Sequence, residues 1–411
     1  MKTHLSYLLI LFFSLASCKA FYAKDDISAR DSIACKLIQA GFENVRINVD
    51  ETRYMISYEN RIMRFDVDAI KEVIKIVAPI VESENEIVLV PLNRKIPLVA
   101  LKMQINDCKN YLNNELSGEE FAERMIIDFD TDDIVKEIES NELENSSSYR
   151  FDVVLKPSLN LEFGPFSQPV MYQVNIIPEL RTSLWKGMSI GYEMIVPIYN
   201  EFGSRQDSVR PGIVALNQTY RFSDGLFFSS SLGMFSQERY GLDIETKKYF
   251  LNGNMSLGLN YGLTSYISFS GIKKFFYSKV FTWTGTINIE YRLPIYDLTF
   301  GMAFGKYLHG DKTMRLDMNR EFDEFEIGLF VLKSANGISN GGINISIPLF
   351  PSKYMKPGLF RITPGESFER SYLVRSNVND LIGLRYNTGN RLERFTKKLN
   401  PSFIKNVFRE N

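Results

Sequence analysis

Histidine is almost missing. The 411-residue chain has two, and only His309 lies beyond the amino-terminal segment. Cysteine stands at three and tryptophan at two. The chain holds no Cys-x-x-Cys pair, no metal-spaced His cluster and no phosphate-cradling Gly-rich loop. Zinc, dithiol and nucleotide chemistry therefore have no motif to rest on. Charge of one sign is lacking too. The 48 Lys and Arg face 49 Asp and Glu, a net charge of −1, so nucleic-acid binding has no global electrostatic footprint. Long apolar runs are absent beyond the first residues. Val67 to Val81 comes nearest, and Asp68, Lys71, Glu72 and Lys75 interrupt it. A spanning helix needs ~20 apolar residues, so any crossing of a membrane falls to strands.

What the chain has in quantity is aromatic residues, 31 Phe and 21 Tyr, and two-residue alternation. In the stretch 281–293, Phe281, Trp283, Ile287, Ile289, Tyr291 and Leu293 share one parity. Thr282, Thr284, Thr286, Asn288, Glu290 and Arg292 share the other. Met255 to Leu263, Leu298 to Phe304 and Ile343 to Leu349 repeat the pattern, with Gly, Ser, Thr and Asn common on the polar parity. A sheet with one face on a soluble core alternates in the same way, and a β-sandwich is the competing reading. Length favours the membrane: a tilted strand crosses a bilayer in ~9–11 residues, whereas an average strand has ~5–6. The expected fold class is α+β. A small α/β module leads into an antiparallel transmembrane β-barrel of about twelve strands over residues 149–350, and a basic tail follows.

The first 18 residues read as a secretory signal: Lys2 and His4, then an apolar run from Leu5 to Leu15. Leu15-Ala16-Ser17-Cys18 looks like a lipobox, which makes Cys18 the expected lipidation site. Cleavage after Ala20 is the alternative. Cys35 and Cys108 are then left as a pair. An oxidising periplasm permits a disulfide between them. Two free thiols fit as well, because spacing does not reveal the Cβ geometry that a bridge requires.

Residues 24–114 form the expected module. A helix from Ser28 to Ala40 stops at Gly41; Val45 to Val49 and Tyr54 to Tyr58 are strands, and Arg61 to Phe65 a return strand. A second helix, Val67 to Ala78, ends at Pro79, and a hairpin joins Glu86–Leu92 to Ile96–Met103. Residues 115–148 carry twelve acids against Arg124 and Lys136 and read as an acidic helix and linker. Asp128, Asp130 and Asp132 with Glu139 echo a calcium loop, but Asp133 stands where such a loop needs Gly. No metal or cofactor is expected. The tail, residues 351–411, has twelve Lys and Arg against five Asp and Glu. It reads as a solvated, partly helical extension, with a plug or a periplasmic flap as the alternative.

In a barrel the polar row Thr282, Thr284, Thr286, Asn288, Glu290 and Arg292 faces the lumen. Hydroxyls and amides there can exchange hydrogen bonds with sugars and line a polysaccharide path. Filling a narrow lumen is the other use for such a row. An enzymatic barrel needs a base with an orienting partner and a hydroxyl in reach. His309 offers neither by spacing, and the chain is not expected to be an enzyme.

Further stretches carry a family resemblance. They are Ala40-Gly41-Phe42-Glu43-Asn44-Val45-Arg46-Ile47 with Tyr58-Glu59-Asn60-Arg61, then Glu238-Arg239-Tyr240-Gly241-Leu242, and Arg385-Tyr386-Asn387-Thr388-Gly389-Asn390-Arg391. With the lipobox, they resemble the YjbH/GfcD family of outer-membrane proteins encoded with exopolysaccharide and capsule genes. Better-known members carry duplicated barrel and α/β parts, and this chain has room for one set. Asn340 to Ile347 also resembles the last-strand signal read by the barrel-assembly machinery, although a tail follows it. The resemblance implies a lipid-anchored outer-membrane barrel that assists polysaccharide export, its module docking periplasmic export proteins. No nucleic acid is expected as a partner. A barrel enzyme acting on lipid or glycan, and a non-transporting structural surface barrel, are the alternatives.

Overall fold

The computed structural model describes residues 28–410 except 130, 164–169, 223–224, 375–380 and 398. Cys18 and its signal lie outside the described residues.

The first unit begins with α1 (Ala29–Ala40), where the Ser28 side chain accepts the Asp31 N–H. The helix ends at Gly41, φ 105°. Only glycine takes that backbone freely, and a Cβ there would fall 2.9 Å from Ile62 Cγ2. β1 (Glu43–Asp50) and β2 (Arg53–Glu59) pair antiparallel. α2 (Asp66–Val77) crosses to β3 (Glu86–Asn93), which runs parallel to β2. β4 (Ile96–Pro97), β5 (Ala100–Gln104), α3 (Ile105–Leu112), α4 (Gly118–Arg124), β6 (Ile126–Asp128) and α5 (Asp132–Glu139) complete the unit. The main sheet path is β1-β2-β3-β5-β6.

Both faces of this sheet are covered, as a layered unit requires. Ile33 and Leu37 of α1 and Val67, Ile70, Val73, Ile74 and Val77 of α2 join one buried cluster. Ile134 and Ile138 of α5 close over Met55, Val88 and Val90 on the other face. The acidic segment, expected as a helix and linker, is helical in α4 and α5 and adds β6, and it packs on the unit where a linker was expected, burying apolar residues while most of its carboxylates stay out. Arg61 to Phe65 is not a strand either. Asn60 Oδ1 accepts the Met63 N–H at 2.9 Å and bends the chain, and Met63 makes an isolated bridge to Lys353. The disulfide is absent. Cys35 is exposed on α1, Cys108 is buried beneath α3, and both are free thiols.

The second unit is one sheet of fifteen strands. It contains β7 (Phe151–Phe163), β8 (Val170–Ser183), β9 (Met188–Asn200), β10 (Arg210–Phe222), β11 (Leu226–Phe235), β12 (Arg239–Phe250), β13 (Met255–Ser270) and β14 (Lys274–Tyr277). β15 (Thr282–Leu293), β16 (Leu298–Lys306), β17 (Lys312–Phe322), β18 (Phe325–Ser334), β19 (Ser339–Pro348), β20 (Phe360–Pro364) and β21 (Ser367–Val374) follow. The tail ends in α6 (Leu392–Lys397) and α7 (Pro401–Arg409). Sheet order is β20-β7 through β13, then β15 through β19 and β21, with β14 beside β13.

This layout departs from the expected one in two respects. The tail adds β20 and β21 to the sheet, so β19 is not the last strand despite its signal. Among the described residues no ladder joins the two ends of the path. Those ends are, however, successive pieces of one segment. β20 pairs parallel with β7, and β21 pairs antiparallel with β19. Arg370 on β21 reaches across and donates to the Leu159 and Leu161 carbonyls of β7, at 2.9 Å each.

The polarity of this sheet is inverted. Leu257, Leu259, Tyr261 and Leu263 are exposed on β13, while Ser256, Gly258, Gly262 and Thr264 are buried. On β17, Met314, Leu316 and Met318 are exposed between a buried Thr313 and an Arg315–Asp317 pair at 2.6 Å. Exposed aromatics cluster towards both strand ends: Phe222, Phe250, Tyr291 and Phe322 at one, Tyr172, Tyr199, Phe281 and Trp283 at the other. Turns at the first end are short, such as Asp323-Glu324, and this is the end the first unit sits on. No helix among the described residues is long and apolar enough to cross a membrane.

Candidate functional site

The site is the polar face of the large sheet and what lies on it. Alternation puts five of the six row residues there. Thr284 and Arg292 are buried, Thr286, Asn288 and Glu290 half-buried, and Thr282 is exposed at the strand end. Several are already engaged. Glu290 accepts from Lys247 Nζ at 2.6 Å and from Ser256 Oγ at 3.0 Å. Arg292 donates to Asp297 at 2.5 Å and to Glu321, and its guanidinium lies 5.0 Å from the Phe403 ring.

The tail runs along this face. Gly383 N–H donates to Asp311 Oδ2 at 2.7 Å, and Leu308 N–H donates to the Leu384 carbonyl at 3.2 Å. Asn387 and Ser236 exchange two hydrogen bonds, at 2.7 and 3.0 Å. Tyr386 stacks on Phe235 with ring centres 5.3 Å apart, and its hydroxyl donates to Asp243 at 2.6 Å. Burial and the adjacent Asp243 carboxylate push that phenol well above its ordinary value, so it stays a donor. Asn390 Nδ2 donates to Thr219 at 3.3 Å, Arg391 pairs with Glu245, and the Leu392 N–H donates to the same carboxylate at 2.9 Å. Arg394 then pairs with Glu369, and Lys397 with Glu326 at 2.7 Å and Glu321 at 3.2 Å.

The tail strands define the curvature of the sheet. β20 pairs with β7 and β21 with β19, and only Gly365 and Glu366 separate β20 from β21. Pro364 to Ser367 spans ~10 Å at most. Eleven strand spacings of ~4.8 Å would separate β7 from β19 by ~53 Å in a flat sheet. The sheet curls round the tail.

Beyond α6, the tail becomes a lid on the first unit. Asn400 caps α7 by accepting the Ser402 and Phe403 N–H groups, and its amide donates to the Gly253 carbonyl at 2.7 Å. Phe403, Ile404, Val407 and Phe408 enter the main apolar cluster of the first unit. Phe408 meets Phe121 edge-on, ring centres 5.5 Å apart.

Charge pairs seat the first unit on the sheet end. Arg64 grips Glu324 with two hydrogen bonds, 2.6 and 2.7 Å. Asp152 accepts from Arg61 and Arg361, each at 2.6 Å. Arg61 also meets Glu43 at 2.5 Å. Burial raises the Glu43 pKa although Arg61 and Arg150 pull it down. A small polar cavity beside this junction is lined by Arg94, Glu179, Arg181, Glu193, Asn217 and Thr388.

His309 is exposed at φ 60° in the turn before β17, and no hydrogen bond joins it to a hydroxyl or carboxylate among the described residues. No group of three or more His, Cys, Asp or Glu placed to hold a metal is found among the described residues. Asp130 of the calcium-like stretch falls outside them. The tail contacts were missed in the sequence because nearly all join residues seventy or more positions apart. One signal was there to be read: Phe403, Ile404, Val407 and Phe408 form a helical stripe.

The geometry can be set beside known proteins. A family model described as "Exopolysaccharide biosynthesis protein YbjH" matches residues 19–353. The chain belongs to the YjbH family. The match takes in the first unit and the sheet through β19, and the segment of this YjbH-family chain that lies on the polar face falls beyond it. No curated protein matches. Among solved structures, the chain is similar to OmpTdeltaL8, a loop L8 deletion mutant of OmpT, an outer membrane protein of Vibrio cholerae. Identity is 8% over 48% of this chain and 85% of that one, with a TM-score of 0.23; a likeness that distant carries no argument.

Proposed function

We propose that this chain is an outer-membrane β-barrel lipoprotein that supports export or assembly of exopolysaccharide or capsule. Cys18 carries the lipid, and the first unit lies in the periplasm, where it docks export proteins. The barrel-assembly machinery inserts the strands. The observation that carries the reading is the inverted sheet: apolar side chains outside, polar side chains within. In water such a surface forfeits ~25 cal/mol for every Å² of apolar area left exposed; in a bilayer it is matched.

The strand pairing supports closure of the cylinder. Twelve antiparallel strands, β7 to β13 and β15 to β19, leave the seam to β20 and β21. Counted as two pieces of one strand, β20 and β21 make a thirteenth, and an odd cylinder needs one parallel seam. The β20–β7 pair supplies it, with Arg370 bridging higher up. Short turns towards the first unit and longer connections opposite fit a periplasmic and an outer rim. We read the role as non-enzymatic; a hydrolase built on His309 would need an orienting partner and a hydroxyl in reach.

Deletion of the gene is expected to lower cell-surface polysaccharide while intracellular synthesis continues, with complementation restoring the surface level. Unchanged surface carbohydrate refutes the export role. The occupied polar face favours one second reading, a structural surface barrel without transport. Conductance across planar bilayers separates the two.

A further inference from the structure

We propose that residues 383–397 are a removable plug, and that the wall they cover selects against polyanionic glycans. The inference rests on the barrel reading and deepens it.

The segment binds opposite walls. Arg391 and Tyr386 hold β12, Arg394 holds β21, and Lys397 holds β17 and β18. No polymer shares that space with it. Its grip differs from that of α7. Between Gly383 and Lys397 most holds are hydrogen bonds and ion pairs, which water or sugar hydroxyls can replace, and the apolar ones are few: Leu384 and Tyr386 pack against Phe235 and Leu308, and Leu392 reaches the edge of the first unit's cluster. α7 is held by four apolar side chains within the core of the first unit. The thread is the more exchangeable of the two, so the plug can leave the lumen while its end stays anchored by α7.

Its departure changes the charge of the lining. Most cations of the wall are paired within the wall: Lys247 with Glu290, Arg315 with Asp317, and Lys156 and Arg181 with Glu179; buried Arg239 on β12 is the exception. Asp243, Glu245, Glu326 and Glu369 are the acids that the tail cations and Tyr386 cover. Withdrawal uncovers those four carboxylates against the one cation Arg239. A neutral or amino-bearing glycan can take over those hydrogen bonds; a polyuronate meets repulsion.

The test is conductance of the purified full-length chain in planar bilayers, with insertion checked by heat-modifiable gel mobility. Wild type is expected to be silent. Y386A/R391A, which leaves α7 in place, is expected to gain stepwise conductance with cation selectivity in a salt gradient, and R391K to stay silent. Wild-type current equal to that of the double variant, or an inserted double variant that stays silent, overturns the plug while the barrel stands. Anion selectivity overturns the lining. A chain that dissolves without detergent and never inserts overturns both.

Discussion

Cys108 has no exposed surface, and burial pushes its thiol up to about 12. Cys35 is exposed on α1, where Gln39 Nε2 lies 3.1 Å from its sulfur. Alkylation of the folded protein at pH 8 should therefore label Cys35 alone, and peptide mass spectrometry should find Cys108 labelled only after denaturation. Equal labelling refutes the packing of α3. The sign for stability follows from the same shift. The folded thiol titrates above its unfolded value, so its contribution is complete below pH ~8.5 and is lost as pH rises towards 12. In that window the unfolding free energy of the first unit should fall by ~1.4 kcal/mol per pH unit. Arg64 makes a second residue-scale case. Its guanidinium is largely buried and doubly bonded to Glu324. Arg64→Ala strands that carboxylate and should cost ~3–5 kcal/mol, read as faster protease cleavage between the first unit and the sheet.

α7 tests the lid. Phe408 is fully buried against Tyr111 and Phe121, so Phe408→Ala should cost ~3–5 kcal/mol, seen as an earlier urea midpoint for the first unit. A midpoint equal to wild type would mean that α7 does not dock. Elements with local signals were legible in the sequence. Ser28 and Gly41 mark the ends of α1, and Pro79 follows α2 closely. The period of two identified β13, β15, β16 and β19, because exposed apolar and interior polar positions alternate along them. What was not legible depends on distant pairing. Twelve cations in a tail look like solvated charge when Glu245, Glu326 and Glu369 cannot be seen opposite them. Residues 115–148 read as an acidic helix and linker because acids are so frequent there, and the covering by Ile134 and Ile138 was not legible. Arg61 to Phe65 alternates like a strand, yet Asn60 spends its side chain on bending the chain there.

For the molecule as a whole, everything turns on what solvent the outer face meets. Leu259 lies on the exposed parity of β13, 51% exposed, between Thr246 on β12 and Ile287 on β15. In a soluble sandwich, Leu259→Arg replaces an exposed apolar side chain by a charged one and should change stability by no more than ~0.5 kcal/mol. In a bilayer the same change places a guanidinium against acyl chains and should cost ~2–4 kcal/mol near mid-height, less towards the rims. The two predictions differ enough for one experiment. Purified chains are folded into lipid vesicles, and the folded fraction is read by gel mobility across a urea series. A shift to lower urea for Leu259→Arg supports the membrane cylinder, and a matching rim substitution, Phe322→Arg, should shift less because an interfacial arginine can reach water. If both variants fold like wild type, the outer face does not meet lipid. The curl of the sheet around its tail would then enclose the polar interior of a soluble protein.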